Sequence, residues 1–355
     1  VKHGEIIGEG WHQWAGGPHA EIHALTAAGD AAEGATVYVT LEPCSHTGKT
    51  PPCADAIIEA RVARVVIAMQ DPNPLVAGQG IERLNRAGIE TSCGVLEEQA
   101  RALNPGFIKR MDSGRPFVRV KLAMSLDGRT AMASGESMWI TGKAARRDVQ
   151  RLRAESSAIL TGVETVLADD PSMNVRLVAE ELKLETHDRA IRQPLRIVLD
   201  SQHRLAQSAA GPAMKIFAQP GECIVITGKM ADSKSADRKL AENNSSYPYK
   251  IEHCAVDSEQ GRIDLPALMG LLADRQINLL HVEAGSVLSG ALLKHGLVDE
   301  IIVYMAPHIM GDEAKGLFHL PGLSTMDERI ALNIIDTRMV GSDMRFTLKT
   351  VSEEV

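Results

Sequence analysis

No window of the 355-residue chain approaches the ~18–20 consecutive apolar residues of a membrane span, and no charged-then-apolar leader opens it. Helical insertion into a membrane is excluded, and a cytoplasmic location is expected. Cysteine is scarce: Cys44, Cys53, Cys93, Cys223 and Cys254 are odd in number and scattered apart from the first two, so a disulfide framework is excluded. Metal binding or plain burial is the better use for them. Clustered positive charge is also lacking. The net charge is -8 and the pI about 5.9. The acidic excess is spread, with 9 basic against 14 acidic side chains in residues 1–113, a balance of -5 that leaves -3 for the remainder. A nucleic-acid partner would need clustered Lys and Arg, so a small-molecule substrate fits better. A starting Met is missing too, and "VKHGEIIGEG" reads as strand, turn, strand from Val1. Upstream sequence is therefore expected to be trimmed or missing.

What is present is ordinary globular material, 44% hydrophobic and 24% charged, long enough for two cores. Helix over 20–29, buried strand 36–41, helix 53–61, strand 64–69, helix 80–88 and the strand "IETSCGV" alternate as a layered α/β domain. "NPGFIKRMDSGRP" (104–116), with two prolines and two glycines, is the best linker, which gives domains 1–113 and 114–355. Alternation then resumes through "FVRVKLAMS", "GKAARRDVQRLRAES", "AILTG", "LRIVLD", "CIVIT", "LPALMGLLADR", "NLLHVEAG", "VLSGALLKHG" and "DEIIVYMAP". "RIALNIIDTRMV" and "DMRFTLKTV" close the chain as an antiparallel hairpin, and "GKMADSKSADRKLAENNSS" is a polar surface stretch.

The chemistry concentrates in "PHAEIHAL" and "EPCSHTGKTPPC". His19, Cys44 and Cys53 supply one imidazole and two thiolates, three good zinc ligands. Structural zinc sites close with four protein ligands, whereas three leave a position for water, which zinc acidifies toward pKa ~7. Glu21 is better placed to shuttle protons than to bind metal. Taken singly, each of these residues is more often a helix-start polar group or a buried thiol; the order, and prolines beside both thiols, favour a site. His23, one turn from His19, and His46, between the thiols, are rival ligands, His23 the better suited to core and His46 to facing substrate. An HxE followed by PC…C is the signature of zinc deaminases, in which water attacks an amidine-like ring carbon and a carboxylic acid protonates the departing ammonia. That superfamily commonly has two residues between the cysteines; here there are eight, carrying His46, Lys49 and Thr50 past the metal, a cation and hydroxyls that suit a phosphorylated substrate.

The strings "HAEIHAL", "YVTLEPCSHTGKTPPCADAI" and "VVIAMQDPNPLVAGQG" closely resemble the deaminase half of the bifunctional deaminase/reductase family of riboflavin biosynthesis. "VKLAMSLDGRTAMASGESMWIT", "ILTGVETVLADDPSMNVR" and "VEAGSVLSGALLKHGLVDEIIVYMAPHIMG" resemble its reductase half. The resemblance implies a cytidine-deaminase-like three-layer α/β/α domain followed by a dihydrofolate-reductase-like α/β domain. It implies zinc on His19, Cys44 and Cys53, Glu21 as proton shuttle, and a pocket including "DPNP" (71–74), Asn73 within it, for a phosphoribosylaminopyrimidine that loses its ring 2-amino group. The resemblance further implies that NADPH then reduces ribosyl to ribityl. Thr165, Asp169 and Ser201, with Ala123, match cofactor positions; Met173, Arg176 and Ser137 match substrate positions. The family's segment before the position of Val1, with a first helix and an Asn-bearing loop, is missing from this sequence.

Part of the second site reads independently. The run Gly285, Ser286, Val287, Leu288, Ser289, Gly290 and Ala291 leaves a strand and opens a helix, offering backbone N–H groups to a dinucleotide phosphate, although many such turns carry glycine for geometry alone. Trp139 is a candidate nicotinamide neighbour or a core tryptophan. Arg153 and Arg176 are candidates for the substrate phosphate, whereas Arg146, Arg147 and Arg151 read as exposed helix arginines. Ser201 with Arg204 could select NADPH through its 2′-phosphate. Glu283 could bond ribose hydroxyls, and Lys121 and Asp127 could polarise or protonate the opening sugar. Two competing readings remain: a cytidine- or tRNA-type deaminase fused to a non-catalytic docking domain, and an interaction protein stapled by zinc. "LVDEIIVYMAP" reads as an interface strand, so a homo-oligomer, a dimer, is expected.

Overall fold

The structure, a computed structural model, describes residues 1–47, 51–74, 76–184, 190–208, 213–228 and 261–351. Lys49, Thr50, Cys254 and most of the polar stretch from Gly228 lie outside them. The chain divides into two units, Val1–Ser113 and Gly114–Val355.

In the first unit, β1 (Thr36–Val39), β2 (Arg64–Ile67) and β3 (Glu90–Cys93) lie parallel in that order, Val37 opposite Val65 and Val65 opposite Thr91. Side chains alternate across a strand, so Val37, Val39, Val65 and Ile67 share one face. There they meet Leu25 of α1 (Ala20–Ala28), Ala54 and Ile57 of α2 (Cys53–Glu59) and Leu84 of α3 (Gln79–Arg86). The sheet face thus anchors the helices whose first turns carry the candidate metal ligands. β1 is less buried than its apolar run suggests: it is an edge among the described strands, and Tyr38 is 62% exposed.

Two local expectations fail here. Residues 1–10 form only an isolated bridge, Lys2 to Glu5. The chain then lies against α1, where a β-carbon at Gly8 or Gly10 would overlap the carbonyls of Ala24 and Ala20, so close approach explains those glycines better than turns do. The expected linker is mostly helix: α4 (Glu97–Leu103) is followed at once by α5 (Pro105–Ser113). Pro105 is the first residue of its helix, where a missing N–H costs nothing. Phe107 and Ile108 then pack with Ala100, Met69, Leu41 and Ala68. The chain turns instead at Gly114, with φ +64°.

The second unit contains β4 (Phe117–Ser125), β5 (Arg129–Ala131), α6 (Lys143–Glu155), β6 (Ala158–Gly162), α7 (Val163–Asp169), β7 (Leu195–Leu199), α8 (Arg204–Gln207), α9 (Lys215–Ala218), β8 (Cys223–Ile226), α10 (Leu265–Asp274), β9 (Leu279–Val282), α11 (Ser286–Lys294), β10 (Glu300–Ala306), β11 (Lys315–Gly316), β12 (Leu332–Val340) and β13 (Asp343–Thr350). Eight of the described strands form one sheet in the order β12-β13-β10-β4-β9-β6-β7-β8. From β10 to β8 neighbours are parallel, while β13 pairs antiparallel with β10 and β12 with β13, the expected hairpin. The main core joins Val118, Val120, Leu160, Ile197, Leu280 and Val282 of the strands to α10 and α11.

β10 is not an interface strand. It lies between β13 and β4 with Ile301, Ile302, Val303 and Tyr304 buried, so its apolar run belongs to a sheet covered on both faces. No helix among the described residues is long and apolar enough to cross a membrane.

Candidate active site

His19 is the N-cap of α1, its backbone still extended (ψ 166°), and Glu21 lies in the first helical turn. Cys53 opens α2 behind Pro52, and Cys44 stands in the loop after β1. Packing α1 and α2 together on the sheet therefore brings residues 25 and 34 positions apart onto one point: His19 Nδ1 is 3.6 Å from Cys44 Sγ and 3.2 Å from Cys53 Sγ. All three ligand atoms lie within 4.8 Å of one another. A tetrahedral zinc with bonds of ~2.0–2.1 Å to nitrogen and ~2.3 Å to sulfur sets these atoms ~3.5 Å apart, so the donor set fits the ion in spacing and in chemistry. Of the rival ligands, His23 lies one turn along α1 and His46 is exposed; neither joins the cluster among the described residues.

The electrostatics are those of a thiol pair sharing a proton. Hydrogen bonds from the Cys53 side chain and from its backbone N–H, the latter at 3.2 Å, bring Cys44 down to about 5, whereas Cys53 is pushed up by Cys44 and by burial. Burial pushes the half-buried Glu21 carboxyl up, with a backbone hydrogen bond and His19 offsetting part of the rise, and Glu21 is within hydrogen-bonding reach of Cys53. That is the environment a proton shuttle needs. Sequence reasoning missed one neighbour, His12, and named the string that holds another, Asp71. His12 stacks edge-on against His19, ring centroids 5.4 Å apart. Asp71 is buried and accepts from the Asn73 N–H at 2.8 Å; burial raises its pKa, and Glu42, His46 and Cys44 all act on it electrostatically. It is the first residue of the "DPNP" string expected at the pocket. Lys49 lies outside the described residues.

In the second unit β9, β6 and β7 are adjacent and parallel, so the segments leaving their carboxyl ends share one edge of the sheet, where α/β proteins bind ligands. Those segments hold Glu283 to Leu288, Gly162 to Asp169, and Ser201. Gly285 is the N-cap of α11 with no side-chain cap, which leaves the first-turn N–H groups to a ligand. The run divides beyond that. Ser289 is buried and donates to the Ala284 carbonyl at 3.4 Å; a β-carbon at Gly290 would overlap the His319 carbonyl, so Gly290 serves packing. Thr165 and Asp169 lie on α7, and Asp169 accepts from Ser137 at 2.9 Å. Trp139 is no core residue: it is 67% exposed, with the Arg146 guanidinium 4.4 Å above its ring. Arg147 pairs with Glu181 and Arg151 lies 3.8 Å from Asp148, and Arg204 pairs with the exposed Glu164.

Arg153 is not free to clamp a phosphate. Its guanidinium is bidentate on Glu283 at 2.5 and 2.8 Å and also donates to the Asn174 carbonyl. Burial alone would push Glu283 up, but Arg153 beside it, backed by His281 at 3.3 Å, holds its carboxyl well below the usual range. Arg176 is exposed and bonded only to the Asn174 side chain among the described contacts of its guanidinium. The Met173 side chain is in the core with Ile159, Val166 and Val198, so only its backbone is left to face a ligand. Asp127 accepts from the Ser125 hydroxyl and from the N–H groups of Gly311 and Met310, which bring it down to about 2; it braces a loop and is no proton donor at neutral pH. Lys121 and Ala123 share one face of β4. Burial pushes the Lys121 ammonium down from its ordinary value, with Glu283 opposing and Arg153 adding to the effect.

Comparison with known proteins bears on both units. Residues 1–69 match the cytidine and deoxycytidylate deaminase zinc-binding region, and residues 116–346 match the RibD C-terminal domain. The riboflavin biosynthesis protein RibD of Escherichia coli is 51% identical over 346 residues, covering 97% of this chain and 90% of its own. The chain belongs to the RibD family. The RibD of Haemophilus influenzae is 49% identical over 98% of the chain and 89% of its own. Among solved structures, Acinetobacter baumannii RibD superposes with TM-score 0.85 at 42% identity, covering 99% of this chain and 91% of that one. The Thermotoga maritima diaminohydroxyphosphoribosylaminopyrimidine deaminase/5-amino-6-(5-phosphoribosylamino)uracil reductase gives 0.78 at 32%, over 99% and 90%. RibD membership settles the fold class, a cytidine-deaminase-like unit followed by a RibD reductase unit, and removes the docking-domain alternative.

Proposed function

We propose that the chain performs two consecutive reactions of riboflavin biosynthesis: hydrolytic deamination of 2,5-diamino-6-(5-phosphoribosylamino)pyrimidin-4(3H)-one, then NADPH-dependent reduction of the ribosyl group to ribityl. The observation that carries this reading is the meeting of His19 Nδ1 with both sulfurs beside Glu21. His19, Cys44 and Cys53 would hold zinc, which when bound supplies an acidified water. Glu21 takes a proton from that attacking water and returns it to the departing amine, so one group serves as base and then acid. Asp71 and Asn73 line the pyrimidine side.

In the second unit, Thr165, Asp169, Ser201 and the first turn of α11 would hold NADPH, which when bound supplies hydride. Glu283, fixed as a carboxylate by Arg153, accepts from the ribose hydroxyls. Lys121, on the neighbouring strand, donates a proton at the opening ring oxygen. Arg176 reaches the phosphate in place of Arg153. The experiment that tests the whole reading supplies the diaminopyrimidinone and follows ammonia and NADPH absorbance together.

The substrate is a small molecule, consistent with a net charge of -8, and the place of work is the cytoplasm. The active assembly is a dimer formed on β12. Among the described strands it is an edge of the sheet, and Leu332, Ile334, Ile335 and Met339 on it are exposed, an apolar edge that monomers avoid. Sedimentation is expected to give the mass of two chains, and Ile335→Glu the mass of one; a single-chain mass for the unaltered protein contradicts the dimer.

A further inference from the structure

Glu42, three residues beyond β1 and two before Cys44, is 3% exposed, and its carboxylate accepts four backbone N–H groups. Oε1 takes those of Gly80 at 2.8 Å and Ile81 at 3.2 Å; Oε2 takes those of Gly78 at 2.9 Å and Asp71 at 3.2 Å. Every donor belongs to one stretch, the loop 71–78 and the first turn of α3. A buried carboxylate needs such partners, and backbone N–H groups bonded to a charge form strong, directional hydrogen bonds. Within the loop, Asn73 N bonds to Asp71 Oδ1, and Val76 N and Ala77 N to the Asn73 carbonyl, so these turns and the Glu42 carboxylate share Asp71 and Gly78 as their end points.

The same contact fixes the metal side. A β-carbon at Gly80 would overlap the Pro43 carbonyl oxygen, so α3 starts directly against the peptide that leads into Cys44. Arg83, one turn on, donates to the Ser45 carbonyl at 2.9 Å and pairs with Asp55 of α2 at 2.6 Å. Glu42 therefore joins the strand end that delivers a thiolate to the loop that delivers Asp71 and Asn73.

We propose that Glu42 is a positioning residue for the deamination, setting the distance of the Asp71–Asn73 wall from the metal-ligating Cys44 and thereby the fit of the pyrimidine ring. The proposal rests on the deaminase reading above. It touches neither metal nor substrate and acts through the loop, so its loss moves substrate binding more than the chemical step.

The test is steady-state ammonia release by the zinc-loaded full chain. Glu42→Gln keeps the shape of the side chain but turns an NH₂ toward two of the four N–H donors. KM for the diaminopyrimidinone is expected to rise about tenfold while kcat falls no more than about threefold, with zinc still one per chain. Asn73→Ala raises KM by its own factor, and the double variant is expected to be no worse than the more affected single one, because both act through one loop. A merely structural Glu42 gives additive losses instead. Additive losses, an unchanged KM, or loss of zinc from Glu42→Gln each overturn the proposal. Glu42→Asp, which keeps the charge but withdraws it by one methylene, decides the matter if the glutamine variant does not fold: a selective rise in KM supports positioning, and wild-type kinetics overturn it. Failure of the unaltered chain to release ammonia sinks the deaminase reading itself, whereas wild-type release with an indifferent Glu42 sinks this inference alone.

Discussion

Glu21→Gln is expected to slow ammonia release about 10²- to 10⁴-fold while zinc content and NADPH oxidation with the deaminated aminouracil stay at wild-type levels. The amide fills the same space in the first turn of α1 and leaves His19, Cys44 and Cys53 untouched, but it cannot carry a proton between the attacking water and the departing amine. Burial pushes the Glu21 carboxyl up, the direction that suits a group which binds and then releases a proton. Ammonia assay and metal analysis on the same sample separate this from loss of the ion. Retained ammonia release would favour the alternative in which zinc only staples the fold.

Arg153→Ala is expected to destabilise the second unit by about 3–5 kcal/mol, because it strands the Glu283 carboxylate in the interior. The side chains are 9% and 12% exposed, and the two hydrogen bonds between them have no water to replace them easily. For a unit of this size that is a fall in melting temperature on the order of 10 °C, readable by calorimetry. Reductase activity is lost with it. Arg153→Ala/Glu283→Gln, which removes the stranded charge, is expected to regain most of the stability and none of the activity. The pH dependence has a definite sign. Because the folded Glu283 pKa lies well below its ordinary value of 4.5, the pair contributes fully above that value and its contribution fades as pH falls below it. The Arg153→Ala protein should therefore lose less stability than wild type on acidification. A melting temperature within 2–3 °C of wild type, on the scale of about one kcal/mol, would contradict the buried-pair account.

The metal cluster was legible in the sequence because each ligand sits at a structural punctuation mark that sequence shows: His19 at a helix N-cap, Cys53 as the first residue of a helix behind proline, Cys44 in the loop after a strand. Only their meeting in space needed the fold. The alternation of helices and strands was equally plain, since periodicity is a local property. What sequence hid was environment. The apolar run of β10 reads the same in a sheet interior as at an interface, and β12, which does expose its isoleucines, carries a more polar string. Pro105 read as a breaker because a proline at the first helical position and one in a linker look alike until the following residues are seen to pack. Arg153 read as a phosphate ligand because its partner Glu283 is 130 residues away, and Glu42 drew no attention because its four donors lie 29 to 39 residues downstream.

The measurement closest to the central claim is a time course on the diaminopyrimidinone with NADPH present, recording ammonia and nicotinamide absorbance in one reaction. Ammonia is expected first, NADPH oxidation after a lag and to the same final amount. Stripping the metal should abolish ammonia release, yet leave oxidation intact when the deaminated aminouracil is supplied. NADPH consumed without ammonia, or ammonia released undiminished from metal-free protein, would contradict the account.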